Sequence, residues 1–156
     1  MTGLGRRQSG EVTRREPCAV GLFDTHAYDL LALAILLLDD QREAEVIVGQ
    51  VLREACPRHR SADDHGDRLI LADEVHRRSF ISRSGQSKVL FRMVSETDSS
   101  PIVEALPTLS DQQRAVIGLC LFGEHTNSEA AQFLALPVCV VDELLRSGLH
   151  RLEVVT

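Results

Sequence analysis

A chain of 156 residues, 44% of them hydrophobic, has the composition of a globular protein built as one domain or as two small ones with thin cores. Its formal net charge of −6 is uneven, since residues 101–156 hold three arginines against seven carboxylates, and this excludes a C-terminal basic footprint of the kind on which phosphate binding draws. No run reaches the length needed to span a bilayer, the most apolar segment being the nine residues Leu30 to Leu38 behind Asp29.

The first residues, Met-Thr-Gly-Leu-Gly-Arg-Arg, lack the apolar stretch of a secretion signal, so the expected location is the cytoplasm. Residues 1–20, polar and rich in glycine and arginine, read as a flexible tail in which Arg6, Arg7, Arg14 and Arg15 are available to an acidic partner. From Asp24 or Thr25, either of which can cap, the pattern is helical to about Leu38. That helix is apolar nearly all round and is expected to be largely buried.

Asp40 and Glu43 have capping-box spacing for a second helix, along which Ala44, Ile47, Val48, Val51 and Ala55 form one apolar stripe ended by Pro57. Joined only by Asp39-Asp40, the two helices are expected to pack as an antiparallel hairpin. Residues 57–67 read as a polar loop. Its His59, Asp63, Asp64, His65 and Asp67 have ligand chemistry, but nothing in their spacing fixes a coordination geometry, so no metal is expected. A third helix is predicted over Asp67 to Arg78. Residues 85–101 are Ser-rich and read as a linker with an apolar patch, Val89 to Val94, whose helix or strand character the sequence leaves open.

The C-terminal part carries stronger signals. Ser110-x-x-Gln113 and Thr126-x-x-Glu129 are two capping boxes, the first opening a helix with Val116, Ile117, Cys120 and Leu121 on its apolar face and Gly123 at its end. The second opens a short helix containing Ala130, Ala131, Phe133 and Leu134. Pro137 is well placed as the first residue of a third helix, with Val141, Leu145, Leu149 and Leu152 as its stripe. Three short helices with one tight turn make a helix-turn-helix. The predicted fold class is therefore all-α: an N-terminal helical hairpin or small bundle over 21–84, the linker, and a three-helix helix-turn-helix over 102–156.

On these residues the C-terminal part resembles region 4 of sigma factors, particularly the extracytoplasmic-function type. The resemblance runs through Leu109-Ser110, Arg114-Ala115-Val116-Ile117-Gly118-Leu119, then Glu129-Ala130-Ala131-Gln132-Phe133-Leu134-Ala135-Leu136, where the family reads Glu-Ile-Ala-x-x-Leu-Gly-Ile, and closes in Leu145-Arg146-Ser147-Gly148-Leu149-His150-Arg151-Leu152. LuxR-type modules share the first two of these helices. The segment Ala44-Glu45-Val46-Ile47-Val48-Gly49-Gln50-Val51-Leu52 is similar to the family's region 2 helix, Ala-Glu-Asp-Leu-Val-Gln-Glu-Val-Phe, which binds the polymerase clamp.

The resemblance implies a regulator of transcription initiation, not an enzyme, that needs no cofactor or small-molecule substrate and contacts RNA polymerase core, promoter DNA or both. Candidate polymerase contacts are Glu45, Gly49, Gln50 and Arg53. Candidate DNA contacts are Val138, Asp142, Glu143, Arg146, His150 and Arg151 on the recognition helix and Arg77, Arg78 and Arg83 in the N-terminal part.

The sequence departs from the family at the places that would do this work. Val46, Gly49 and Gln50 replace an Asp, a Gln and a Glu on the clamp-binding helix, and Gly49 costs roughly 1 kcal/mol of helix propensity against Ala. The surface that would capture flipped promoter bases has no Trp and offers Phe80 with His76, Arg77, Arg78 and Arg83, so promoter melting is expected to be impaired or absent. Where the family places Lys in its recognition helix, this chain has Asp142 and Glu143, which repel phosphate although they can accept from cytosine. The alternative function is a protein-interaction module that lost nucleic-acid binding and pairs with a sigma factor, an anti-sigma factor or a second copy of itself. Val138, Cys139 and Val140 read either as core or as an apolar patch for such a partner. Cys18, Cys56, Cys120 and Cys139 have no zinc-site spacing and read as reduced thiols, at least partly buried.

Overall fold

The computed structural model describes residues 15–56, 64–85 and 106–154, and every element among them is helical. Three helices, α1 (Arg15–Leu38), α2 (Gln41–Ala55) and α3 (Asp64–Gly85), form a bundle in which each touches the other two. A 3-10 turn at Leu106–Thr108 leads into α4 (Asp111–Leu121), α5 (Asn127–Leu134) and α6 (Val138–Val154).

The α1–α2 hairpin forms as predicted because its turn is locally specified. Asp39 closes it in the left-handed region at φ 59°, with its amide bonded to the carbonyl of Ile35 at 2.9 Å, and Asp tolerates that conformation better than most residues. Asp40 then caps α2 by accepting from the Glu43 amide at 3.0 Å. The Glu43 carboxylate accepts from the Ser82 hydroxyl of α3, which ties the far end of α3 back to the start of α2. Ala44, Ile47, Val48 and Val51 are buried as the stripe requires, with Leu52 joining them and Ala55 at the margin.

Two helices are longer than their local signals. α1 begins at Arg15, nine residues before the Asp24 cap, so residues 15–20 are its first turns and not the end of a tail; the rest of that tail lies outside the described residues. α3 begins at Asp64 and runs to Gly85, taking in the end of the predicted polar loop and seven residues beyond Arg78. For α3 the reason is tertiary: Arg68 reaches the Thr25 carbonyl and Asp29 of α1, and Arg83 donates to the Leu37 carbonyl at 2.8 Å, so both ends of α3 are anchored along α1. These pairings also show that α3 runs parallel to α1.

The apolar character of α1 extends further than the nine-residue run. Gly21–Leu38 is long and apolar enough to cross a membrane by length and composition alone, which corrects the expectation that no segment is. Leu22, Leu30, Leu33, Ala34, Leu36 and Leu37 are buried in the protein core, but 39% of that window is buried in all, so the helix is less enclosed than expected and Tyr28 stands out at 85% exposure.

α4 lies antiparallel to α3 and against α1, bringing Asp111 to Arg83 and the Phe122 carbonyl to Arg68. One continuous core cluster draws buried residues from all six helices, among them Leu33, Val48, Val75, Val116, Ala130 and Val141. A second, smaller cluster joins Leu36 of α1 to Leu106, Leu109 and Ile117. Segments 57–63 and 86–105, with His59, Asp63 and the Val89 to Val94 patch, lie outside the described residues.

Candidate nucleic-acid and partner interface

The helix-turn-helix is built from its two capping boxes. Ser110 accepts from the Gln113 amide at 3.1 Å while Gln113 accepts from the Ser110 amide at 3.0 Å, and Thr126 and Glu129 repeat the exchange at 3.2 and 2.8 Å. Those bonds to Thr126 hold the Glu129 carboxyl below its usual range, the backbone amide first. α4 ends at Phe122, and the left-handed residue of the turn is Glu124 at φ 59°. Gly123 serves by its size, not by its backbone angle: a β-carbon there would lie 2.7 Å from the Leu119 carbonyl and 3.0 Å from Ala72 of α3.

The turn into α6 is closed by Ala135 in the left-handed region (φ 54°), with the Leu136 amide reaching the Ala131 carbonyl at 2.9 Å. Pro137 sits one place before the assigned start of α6, and its carbonyl accepts from Val140 and Val141 at 3.0 and 3.2 Å. On the inner face of α6 Val141 and Gly148 are buried, and Leu144, Leu145, Leu149 and Leu152 are partly so. Gly148 permits the close approach to α4, since a β-carbon would meet Ile117 Cδ1 at 2.7 Å.

The outer face carries Cys139, Glu143, Arg146 and His150 at i, i+4, i+7 and i+11, all exposed, flanked by Val138, Val140, Asp142 and Arg151. Val138 is 44% and Val140 37% exposed, so the core reading of this stretch is corrected. Cys139 is exposed too, against the expectation that the thiols are covered; Cys56 is buried and Cys120 half-buried, its thiol pushed up by that burial. Asp142 accepts from the Asn127 amide group at 2.6 Å, which pins the start of α6 to the start of α5.

Each candidate DNA-contact arginine is engaged within the chain. Arg146 pairs with Glu143 at 3.0 Å, and Arg151 donates to the Thr108 carbonyl at 2.7 Å. Arg77 pairs with Glu74 at 2.9 Å. Arg78 bridges Glu74 at 2.7 Å and Glu54 of α2 at 2.6 Å, and its hydrogen bonds to Glu54 and then Glu74 push its pKa further up. Arg83 pairs with Asp111 at 2.9 Å. Arg83 and Arg151 thus meet the chain near the start of α4, while Arg77 and Arg78 stay with the acids of α2 and α3.

Phe80 is exposed beside them, but His76 is not part of that surface. Its ring turns inward to meet Phe133 edge-on, with centroids 5.2 Å apart, and burial pulls its pKa down.

On α2 the candidate polymerase contacts share one solvent face. Glu45 is exposed and accepts from Gln41 at 2.9 Å, Gln50 and Arg53 are exposed, and Gly49 lies between them with Val46 56% exposed alongside. Among the described residues no group of three or more His, Cys, Asp or Glu side chains is placed to hold a metal ion, and His65 of the former loop reading sits on α3 paired with Glu124 at 3.1 Å.

Three polar arrangements escaped the sequence reading because their partners lie outside the spacing of a single helix. Arg68, 5% exposed, donates to His26 at 2.9 Å and to Asp29. Arg114, 6% exposed, donates to the Leu106 carbonyl at 2.7 Å, and burial lowers its pKa. His125 joins Asp73 of α3 at 2.9 Å.

No protein-family model matches the sequence, and no curated protein does. Among solved structures, the chain is similar to the sigma factor RpoE from Bartonella quintana, solved in complex with the anti-sigma factor NepR. The TM-score is 0.61 at 18% identity, over 87% of this chain and 94% of that one. The fold is sigma-factor-like. The match covers enough of the chain to take in both the bundle and the helix-turn-helix.

Proposed function

We propose that this protein is a sigma-factor-like regulator that acts by binding proteins of the transcription apparatus and has given up promoter DNA. The observation that carries this reading is the state of the charges. Asp142 and Glu143 stand on the outer face of α6, and Arg77, Arg78, Arg83, Arg146 and Arg151 each contact an oxygen of their own chain. A cation already held within the chain must break that contact before it neutralises a phosphate, which lowers its gain, by about 0–1 kcal/mol for exposed pairs such as those of Arg77 and Arg146. Acidic residues at the start of α6 add direct repulsion.

The faces left for proteins are the solvent face of α2, with Glu45, Gly49, Gln50 and Arg53, and the start of α6, with Val138 and Val140 beside Asp142 and Glu143. RNA polymerase core fits the first by the resemblance of α2 to a clamp-binding helix. An anti-sigma factor is supported as partner by the complex in which the similar sigma factor was solved. A second copy of this chain is the remaining partner. The protein acts in the cytoplasm and by association, without catalysis.

The test is a gel-shift titration at low salt against random and promoter DNA, run beside co-purification with polymerase core. Ordinary non-specific DNA binding has a Kd of about 10⁻⁴–10⁻⁶ M even at physiological salt. The expected result is no binding tighter than about 1 mM, with a gain of affinity when Asp142→Lys and Glu143→Lys are combined. Tight, salt-sensitive binding by the unmodified chain overturns the proposal. Failure to bind polymerase core, an anti-sigma factor and itself overturns its protein-binding half.

A further inference from the structure

The turn Gly123 to His125, which leads from α4 into α5, rests directly on α3. His125 is the centre of that junction. Its Nε2 lies 2.9 Å from Asp73 Oδ1 and its Nδ1 3.0 Å from the Gly123 carbonyl oxygen, and its side chain is 3% exposed. A carbonyl only accepts, and so does an ionised carboxylate, so both ring nitrogens must donate and the ring that satisfies this geometry is the imidazolium. A neutral ring has one N–H and forfeits one of the two bonds: either that to the carbonyl of buried Gly123, where an unmet acceptor is costly, or that to Asp73, which is 31% exposed.

The charges around the ring are consistent with that state. Asp73 is shared in space with His76, one turn along α3, but His76 is packed against Phe133, and its burial, together with the nearby His125 and Arg77, favours its neutral form. Glu129 of α5 also faces this junction, its carboxyl held low by its bonds to Thr126 and, more weakly, by His65 and His125. Beside the ring, Glu124 is engaged with His65 at 3.1 Å, a half-exposed pair that adds a second, weaker tie between the same turn and α3.

We propose that His125 and Asp73 form a proton-dependent clasp between the helix-turn-helix and the N-terminal bundle, tight while His125 is charged and loosened when its ring is neutral. The apolar core shared by the six helices keeps the fold in either state, so the clasp governs local opening of the turn. The inference is independent of whether the partner is protein or DNA.

Hydrogen exchange of the full chain tests it. The amides of Gly123 and His125, bonded to the Gly118 and Leu119 carbonyls at 3.1 Å each, report the turn, and amides of α2 serve as control. After correction for intrinsic exchange, protection at the two turn amides is expected to fall about tenfold or more between about pH 5 and about pH 8, the range in which imidazole changes charge. α2 amides should hold. In His125→Gln and in Asp73→Asn the step should vanish, with protection low throughout and helix content by circular dichroism unchanged. Flat protection in the unmodified chain overturns the clasp, as does a step that persists in His125→Gln. If either variant fails to fold, the pH step in the unmodified chain and its coincidence with titration of the His125 ring proton signals decide the matter.

Discussion

Gly118 of α4 lies so close to Leu33 of α1 that a β-carbon on it would stand 2.5 Å from Leu33 Cδ1 and 3.4 Å from Leu36 Cδ2. Leu33 is fully buried, so its methyl has nowhere to rotate. This is where the helix-turn-helix meets the bundle. Gly118→Ala is expected to destabilise the protein by about 1–3 kcal/mol through overpacking, although the same change on an open helix surface stabilises. Chemical denaturation of the two proteins measures it. A neutral or stabilising result would mean that α1 and α4 do not approach as described.

Gly49 is the opposite case. A β-carbon there would meet only the Arg53 guanidinium, at the ordinary distance of 3.6 Å. Gly49→Ala should therefore raise stability by about 0.5–1 kcal/mol, the helix-propensity difference, as a shift in denaturation midpoint with unchanged slope. Because Gly49 belongs to the proposed polymerase face, the same variant reports whether that face tolerates a methyl group.

Ala135 holds the left-handed position that closes α5, where the sigma-family pattern has glycine. The left-handed conformation costs an alanine about 1–2 kcal/mol, and glycine avoids that while losing about 0.4–1 kcal/mol through its freer unfolded chain. Ala135→Gly is expected to stabilise by about 0.5–1 kcal/mol on balance. Loss of stability would show that the alanine methyl makes a contact worth more than its strain.

The contrast between Ser110 and Arg78 shows which parts of the molecule were legible in the sequence. Ser110 with Gln113, and Thr126 with Glu129, close bonds across three residues, so their spacing alone announces the helix starts. The α2 stripe is local in the same sense. Arg78 meets Glu54, 24 residues away, and Arg83 meets Asp111. No periodicity predicts such pairings, whereas Arg77 and Arg78 with Glu74, and Arg146 with Glu143, stand at ordinary helical spacing and were open to a reading of local charge. The bounds of α3 differ from its local signals for a related reason, since anchoring by Arg68 and Arg83 on α1 extends it past them. The exposure of Val138 and Val140 depends on which face of α6 docks on α4, and Gly148, a residue a hydrophobic pattern skips, settles that.

His76 gives the protein an acid limit distinct from that of its carboxylates. Burial against Phe133 is the main cause of its lowered pKa, with Asp73 opposing and His125 and Arg77 assisting. A histidine held neutral in the folded state binds its proton more readily once unfolded, so stability is lost as pH falls below the ordinary imidazole value of about 6.5. Glu129, whose pKa is lowered, acts in the same direction but only below the ordinary carboxylate range, so the two windows separate. Denaturation midpoints measured downward from about pH 7 should begin to fall near pH 6.5 in the unmodified chain and hold further down in His76→Phe, which keeps a ring against Phe133. If the two curves stay parallel through that interval, His76 is not the group responsible. The sign is opposite to that of the proposed His125 clasp, which loosens as pH rises.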